Sequence, residues 1–276
     1  MALNSVNTNV GAMVALQNLN STSTQLQQVQ ERINTGLKVG SVKDNASVWA
    51  IAQNQRAQSM SLDAVKDSLS RGQSALDVGI AAGTSISDLL SQMKAKALSA
   101  SDSGLDQASR DALNEDFKSF RDQVTTIVNN AEFNGTNLIK NGGDTIYALA
   151  NADASSKITV AAQDLSLGGG NINVTATDTI GTVTTASAMI GTLQTSIDQV
   201  SAALAKLGTG SKALDRHMSF VTKLQDSIDA GVGNLVDADL AKESARLQAL
   251  QTKQQLGVQA LSIANSSSSM VLGLFR

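Results

Sequence analysis

The sequence predicts a mainly α protein: a long antiparallel helical coiled-coil rod with a small β-hairpin insert, plus a terminal two-helix coiled-coil layer. Three observations carry that prediction. The 276 residues contain no proline, so no pyrrolidine ring interrupts a helix. Apolar residues recur every seven positions through the first half and every three or four through the second. Aromatics make up only 3% of the chain against 42% hydrophobic residues, so its core must be aliphatic and alanine-rich.

The elements follow in chain order. Leu3, Val6, Val10, Met13, Leu16 and Leu19, then Leu26, Val29, Ile33 and Leu37, read as one helical stripe with one face to bury. Its other face carries Asn, Thr, Ser and Gln in place of charge pairs, which makes an isolated helix weak. Gly36 and Gly40 mark a break. From Val48 to about Ala100, Leu62, Leu69, Leu76, Gly83, Leu90 and Ala97 form a heptad seam, with Val65, Gly72, Gly79, Ile86 and Met93 offset by three. Each seam glycine costs about 1 kcal/mol relative to alanine, so a closely approaching partner helix is implied.

A loop at Ser101–Gly104 precedes a return helix at about Asp106–Ala131, with Leu113, Phe117, Phe120, Val124 and Ile127 inward. Residues 134–185 hold glycine clusters and alternation at Lys157–Val160 and Ile172–Thr175, which predicts short strands. Ile190, Leu193, Ile197, Val200, Leu204, Leu207, Leu214, Met218, Val221 and Ile228 then sustain a helix of about 60 Å at 1.5 Å per residue. It must lie along another long helix. Beyond Gly231 and Gly233, Leu240, Leu247, Leu250, Leu256, Leu261, Ala264, Val271 and Leu272 mark the apolar side of a last helix, which ends near Phe275. The predicted division is residues 1–40 with 235–276 as an inner terminal-helix domain and 41–234 as an outer rod domain, the strand-rich insert lying at about 140–185.

Composition excludes several function classes. A net charge of -3 leaves no basic face for nucleic acid. With no cysteine there are no disulfides, thiol nucleophiles or thiolate metal sites. His217 is the single histidine, so no two-histidine metal site forms within one chain. No stretch has the length of a membrane span, and the first basic residue is Arg32, so a signal peptide is not expected and export would use another route. Neither catalytic residues nor a cofactor are expected.

The residual motifs read as structure. His217 lacks a nucleophile motif around it. Gly208-Thr209-Gly210-Ser211-Lys212 lacks phosphate-loop spacing and reads as a break or bend in its helix. Gly168–Gly170 reads as a turn, Trp49 as a packing residue, and Asp237, Asp239 and Glu243 as helix capping. The Ser/Thr-rich stretch Thr175–Ser187 is a candidate acceptor of O-linked sugars.

At the level of motifs the chain resembles bacterial flagellins. The resemblance lies in NTNVGAMVALQNLN at 7–20, INTGLKVGSVKDNASVWAIAQ at 33–53, and FKSFRDQVTTIVNNAEFNGTNLI at 117–139 with its Phe133-Asn134-Gly135. It resumes in LVDADLAKESARLQALQTKQQLGVQALSIAN at 235–265 and VLGLF at 271–275. The type is a short, alphaproteobacterial-like one that lacks the large outer domains.

The resemblance implies a secreted homopolymer, exported unfolded, whose copies form the flagellar filament for swimming. It implies inner-tube packing by Leu3, Val6, Val10, Met13, Leu16, Leu19, Leu247, Leu250, Leu256, Leu261, Val271, Leu272 and Phe275. An outer-rod seam would use Leu62, Leu69, Leu76, Leu90, Met93, Leu193, Val200, Leu207, Leu214 and Val221. The implied partners are an export chaperone binding the C-terminal helix and the filament cap and junction proteins, with no nucleic acid and no membrane. Gln92, Ala95 and Lys96 depart from the stretch that an innate-immune receptor reads in other flagellins, which implies weak recognition. A hook-filament junction protein and a secreted helical translocator are the rival readings.

Overall fold

The computed structural model describes residues 8–273, and side chains as far as residue 266. Its elements are α1 (Val10–Thr35), α2 (Ala46–Ala100), α3 (Gln107–Asn130), β1 (Ile146–Leu149), β2 (Lys157–Val160), α4 (Val183–Val236) and α5 (Leu240–Gly273). They form two compact units. One comprises residues up to Ala57 and from Ser227; the other is Gln58–Asp226.

In the Gln58–Asp226 unit, α2 and α4 run antiparallel, and side chains along them fix the register. Gln225 Nε2 donates to Asp63 Oδ1 at 3.0 Å, Gln73 Nε2 to Ser211 Oγ at 2.7 Å, and Lys94 Nζ to Gln194 Oε1. Leu62, Leu69, Leu76, Leu90, Met93, Leu193, Val200, Leu207, Leu214 and Val221 are all buried, none more than 2% exposed. The α4 helix is 54 residues long, about 80 Å at 1.5 Å per residue.

The return helix α3 starts on an N-cap, Asp106, whose carboxylate accepts from Ser109 N at 2.8 Å. Phe117, Val124 and Val128 on α3 are buried. Arg110 is also buried. Its guanidinium donates to the carbonyl of Ala100, to Asp102 O at 3.1 Å and to Leu105 O at 3.0 Å. A charged side chain thereby gathers carbonyls at the end of α2 and in the following turn, where Asp102 O also accepts from Leu105 N at 3.3 Å.

Two features organise the segment after α3. Asn134 (φ 50°) and Gly135 (φ 83°) are both left-handed, and Phe133 and Thr136 exchange two backbone hydrogen bonds of 3.0 Å across them. This is a two-residue turn that Asn-Gly suits, since other residues resist φ > 0. Asn137, 1% exposed, donates through Nδ2 to Val128 O at 2.8 Å and accepts at Oδ1 from Ile139 N and Lys140 N. One buried amide therefore ties the end of α3 to the chain that follows.

The hairpin pairs β1 with β2 antiparallel, Ile146 opposite Val160 and Leu149 opposite Lys157. Ile146 and Ala148 turn inward and Tyr147 outward, the period of two expected of a half-buried strand. Glycines let it approach: a Cβ at Gly72 of α2 would lie 3.2 Å from Ile146 Cγ2, and one at Gly210 of α4 would lie 2.7 Å from Val160 Cγ1.

Several sequence expectations change. The helix does not break at Gly208–Lys212 or stop at Gly231; α4 continues to Val236, and Gly210 serves close approach of β2. Ile172–Thr175 is not a strand. Ile172 and Val174 are fully buried, but the backbone bonds elsewhere, with Asn173 N donating to Ser196 Oγ at 3.0 Å and Gly168 N to Val174 O at 2.8 Å. The seam glycines face more than a helix. A Cβ at Gly83 would lie 2.6 Å from Leu204 Cδ2 on α4, whereas Gly79 faces Leu138 and Gly72 faces the hairpin as well as Leu214.

Candidate assembly surface

The unit formed by the two chain ends is built on α1 against α5. The pair runs antiparallel. Asn9 caps α1 by accepting from Ala12 N at 2.9 Å and donates through Nδ2 to Ala264 O at 2.7 Å. Further along, a Cβ at Gly257 would sit 3.3 Å from Leu19 Cδ1, and Gln254 Nε2 reaches Ser23 Oγ at 3.4 Å. Arg32 Nη1 meets Glu243 Oε1 at 3.4 Å, both side chains largely buried. Thr22, Val29 and Leu250 are buried along the same line.

At the closed end α1 finishes on Gly36, left-handed at φ 72°, as a helix C-cap glycine does. Beyond it Lys38 N donates to Val236 O at 2.7 Å and Ala238 N to Gly36 O at 2.8 Å. Val39, Ala52, Val232 and Val236 form a buried cluster there, with Trp49 packed against it.

Most of the remaining apolar side chains of these two helices face solvent. Val10 and Met13 are each 63% exposed, Leu16 48%, Leu256 58% and Ile263 69%. Leu19, Leu247 and Leu261 are half-buried, and Leu250 is buried. Leu3, Val6 and Phe275 lie outside the described residues, as do the side chains of Val271 and Leu272.

The expected single stripe on α1 is therefore not one face. Positions 10, 13, 16 and 19 advance in threes, and each step of three falls about 60° short of a full turn at 100° per residue. Val10 ends about half a turn round from Leu19. The apolar line winds off the α5 contact and into solvent. On α5 the apolar residues likewise divide into two sets. Leu247, Leu250, Gly257, Leu261 and Ala264 lie on the α1 side, while Leu256 and Ile263, seven apart and exposed, lie more than 100° away beside exposed Ala249. A helix apolar on more than one side is one that a larger assembly covers.

The other candidate residues have structural partners. Asp239 accepts from Lys242 N at 3.1 Å and starts α5, Glu243 pairs with Arg32, and Asp237 bridges Leu37. His217 Nε2 lies 2.7 Å from Ala150 O at the hairpin loop, and its ring tilts against Phe220 at 5.7 Å. Arg110 and Asn137 were not anticipated as organising residues, although Asn137 sits just past an Asn-Gly turn signal. No described helix is long and apolar enough to cross a membrane.

The family signature covers α1 and α5 and the long helices α2, α3 and α4 as well. Residues 6–143 match the bacterial flagellin N-terminal helical region, and residues 187–275 match the bacterial flagellin C-terminal helical region. The chain belongs to the bacterial flagellin family. Flagellin FljM of the alphaproteobacterium Caulobacter vibrioides is 59% identical over 276 residues, all of both chains, so the short centre of this flagellin is shared with it. Two solved structures share the fold. One is a Bacillus cereus flagellin, with TM-score 0.50 and 22% identity, covering 56% of this chain and 88% of that one. The other is a Vibrio parahaemolyticus chain solved as a candidate flagellar hook-associated protein, with TM-score 0.58 and 14% identity, covering 70% of this chain and 100% of that one. As a flagellin the chain is a structural subunit of the flagellar filament, which lies outside the cell.

Proposed function

We propose that this flagellin polymerises with other copies of itself by burying the exposed apolar faces of α1 and α5, and that it carries no catalytic step. The observation that supports this most is that Leu256 and Ile263 stand exposed on a helix already packed along a different face. Water covers such a face badly. Each 1,000 Å² of apolar surface removed from water is worth about 25 kcal/mol before the costs of ordering are subtracted.

In this reading exposed Val10, Met13, Leu16 and Leu256 line inter-subunit packing, together with Leu3, Val6, Val271, Leu272 and Phe275 outside the described side chains, while Leu19, Leu247, Leu250 and Leu261 hold α1 and α5 together within one copy. The α2–α4 seam, Leu62 through Val221, holds the outer layer as a stiff body. Absence of cysteine and proline suits a chain exported unfolded, since refolding then waits on no disulfide and no slow prolyl isomerisation. An export chaperone covers α5 until polymerisation, and cap and junction proteins meet the polymer at its ends.

The test is electron microscopy of purified protein under polymerising conditions, beside Leu256→Asp/Ile263→Asp. The parent is expected to form filaments and the variant none, while the variant's monomer melts like the parent. Filaments from the variant at parental yield would refute this reading.

A further inference from the structure

The chain holds seven methionines and no cysteine, so all of its oxidisable sulfur is thioether. Exposure divides these methionines. Met93 is 0% exposed and Met189 7%, whereas Met13 is 63% and Met60 62% exposed. Met218 lies between these extremes, and the side chains of Met1 and Met270 lie outside the described residues.

The two exposed methionines stand in different surroundings. At 100° per residue, Met13 lies about half a turn round α1 from Thr22 and Val29, which are buried on the α5 side. Gly11, where a Cβ would lie 3.9 Å from Ala264 Cβ, is on that far side too. Val10 and Leu16, themselves exposed, flank Met13 at about 60° on either side. Met13 is therefore the middle of the apolar face that α1 turns away from α5. Met60 on α2 instead has Arg56, Ala57, Asp63 and Ala64 at the positions three and four away, none of them a large apolar side chain.

We infer that Met13 is a reversible oxidation site that decides whether a free subunit can join the polymer. This rests on the self-assembly proposed above and names a chemical control on its α1 face. The oxidant is a peroxide. The thioether sulfur attacks one peroxide oxygen, and an S–O bond forms as the O–O bond breaks. The proton on the transferred oxygen passes to the departing oxygen, so hydrogen peroxide leaves as water and sulfur has lost two electrons. The resulting sulfoxide sets a polar acceptor at the centre of a face that gains by leaving water. Docking would bury that oxygen among apolar side chains without a donor, which opposes the contact. In an assembled copy the same sulfur is covered. Oxidation thus acts on subunits before they join and spares those in place. Sulfoxide reductases reverse it with a dithiol, which becomes a disulfide as the oxygen leaves as water.

The test treats the free subunit with hydrogen peroxide until Met13 is partly oxidised, quenches with catalase, and adds the mixture to untreated filament seeds. Peptide mass spectrometry then reads each methionine in the polymer and in the subunits left behind. Met13 and Met60 are expected to oxidise at similar rates in the free subunit, about tenfold or more faster than buried Met93. Met13 sulfoxide is expected to be about tenfold or more depleted in the polymer relative to the remaining subunits, and Met60 sulfoxide evenly divided. Reductases for both sulfoxide epimers, with dithiothreitol, are expected to restore incorporation. Met13→Leu removes the sulfur and keeps an apolar side chain, so its ratio of treated to untreated elongation rate should stay near one while the parent's falls. Unfolding of the treated monomer, followed by circular dichroism, is expected to match the untreated one because Met13 is exposed. Even division of Met13 sulfoxide between polymer and solution would overturn the inference while leaving filament formation, and its dependence on Leu256 and Ile263, standing. Equal loss of elongation by treated Met13→Leu would also overturn it, assigning the effect to another methionine. Met13 oxidised as fast in finished filaments as in free subunits would overturn the covering of the α1 face itself.

Discussion

The two units use the same kinds of apolar residue to opposite ends. In Gln58–Asp226 the ten seam residues from Leu62 to Val221 are at most 2% exposed, whereas in the terminal unit Val10, Met13, Leu16, Leu256 and Ile263 are 48–69% exposed. Burial already achieved stabilises the lone chain. Burial still outstanding is free to act between chains. The difference separates folding from assembly along one sequence, and substitutions in the two units should affect different measurements. Leu69→Ala removes a fully buried side chain and is expected to destabilise the monomer by about 2–5 kcal/mol in a denaturant melt. Met13→Ala is expected to stay within about 0.5 kcal/mol in that melt and to raise the protein concentration needed for polymerisation. If Met13→Ala lowered monomer stability as much as Leu69→Ala, the separation would be wrong.

A smaller effect probes the irregular part of the rigid unit. A Cβ at Gly143 would lie 2.8 Å from Asn137 O and 2.9 Å from Lys140 O, backbone atoms with nowhere to retreat. Asn137 O also accepts from Asp144 N and Lys140 O from Gly143 N, so the added methyl pushes directly on the turn that Asn137 organises. Gly143→Ala is expected to cost about 1–3 kcal/mol, read in the same melt. Asn137→Ala, which leaves Val128 O and two amides without their partner, should fall in the same range. A neutral Gly143→Ala would mean that this segment yields more easily than its buried hydrogen bonds indicate.

How much of this was legible in the sequence follows from the range over which each signal acts. Heptads and three-four spacing repeat over dozens of residues, so α2, α3 and α4 and the burial of Leu62, Leu69 or Val200 could be read directly. Local breakers misled. Gly208, Gly210, Gly231 and Gly233 looked like interruptions, yet α4 passes through all four, and the reason for Gly210 is Val160, fifty residues earlier in the chain. The hairpin was half legible: Lys157–Val160 alternates polar with apolar, but Ile146–Leu149, of the same length, reads Ile-Tyr-Ala-Leu with no polar residue to mark a period of two. Arg110 and Asn137 act through backbone carbonyls and amides, which periodicity does not report. On the assembly surface the apolar residues of α1 and α5 were found, but their division between faces was hidden by counting threes and fours as equivalent.

Glycines within one helix give a finer contrast. Nothing lies within 4 Å of a Cβ at Gly208, while one at Gly210 would meet Val160 Cγ1 at 2.7 Å. Gly208→Ala is expected to stabilise the monomer by about 1 kcal/mol, the helix-propensity gain alone. Gly210→Ala should forfeit that gain by displacing β2. Equal shifts in melting temperature for the two would contradict the close packing of Val160 on α4.

The smallest expected effect is on acid stability. Hydrogen bonds from Ser109, the backbone amide first and the hydroxyl second, hold the Asp106 carboxyl below its ordinary pKa. In the terminal unit Asp44 is lowered chiefly by the Ser41 amide, with burial opposing it and the Ser41 hydroxyl and Gly40 amide adding to the lowering. Because the folded pKa lies below the unfolded value near 3.9, each group stabilises its unit above about pH 4. That contribution fades as pH falls through the depressed folded value. Asp106→Asn keeps a good N-cap without the titrating proton, so it should leave stability at pH 7 almost unchanged and flatten the decline below pH 4. Asp44→Asn should do the same for the terminal unit, visible as a shift in the acid midpoint of its own unfolding. If Asp106→Asn moved the terminal unit's acid midpoint instead, the two units would not titrate as separate bodies, and the division between a finished interior and an unfinished surface would fail at its base.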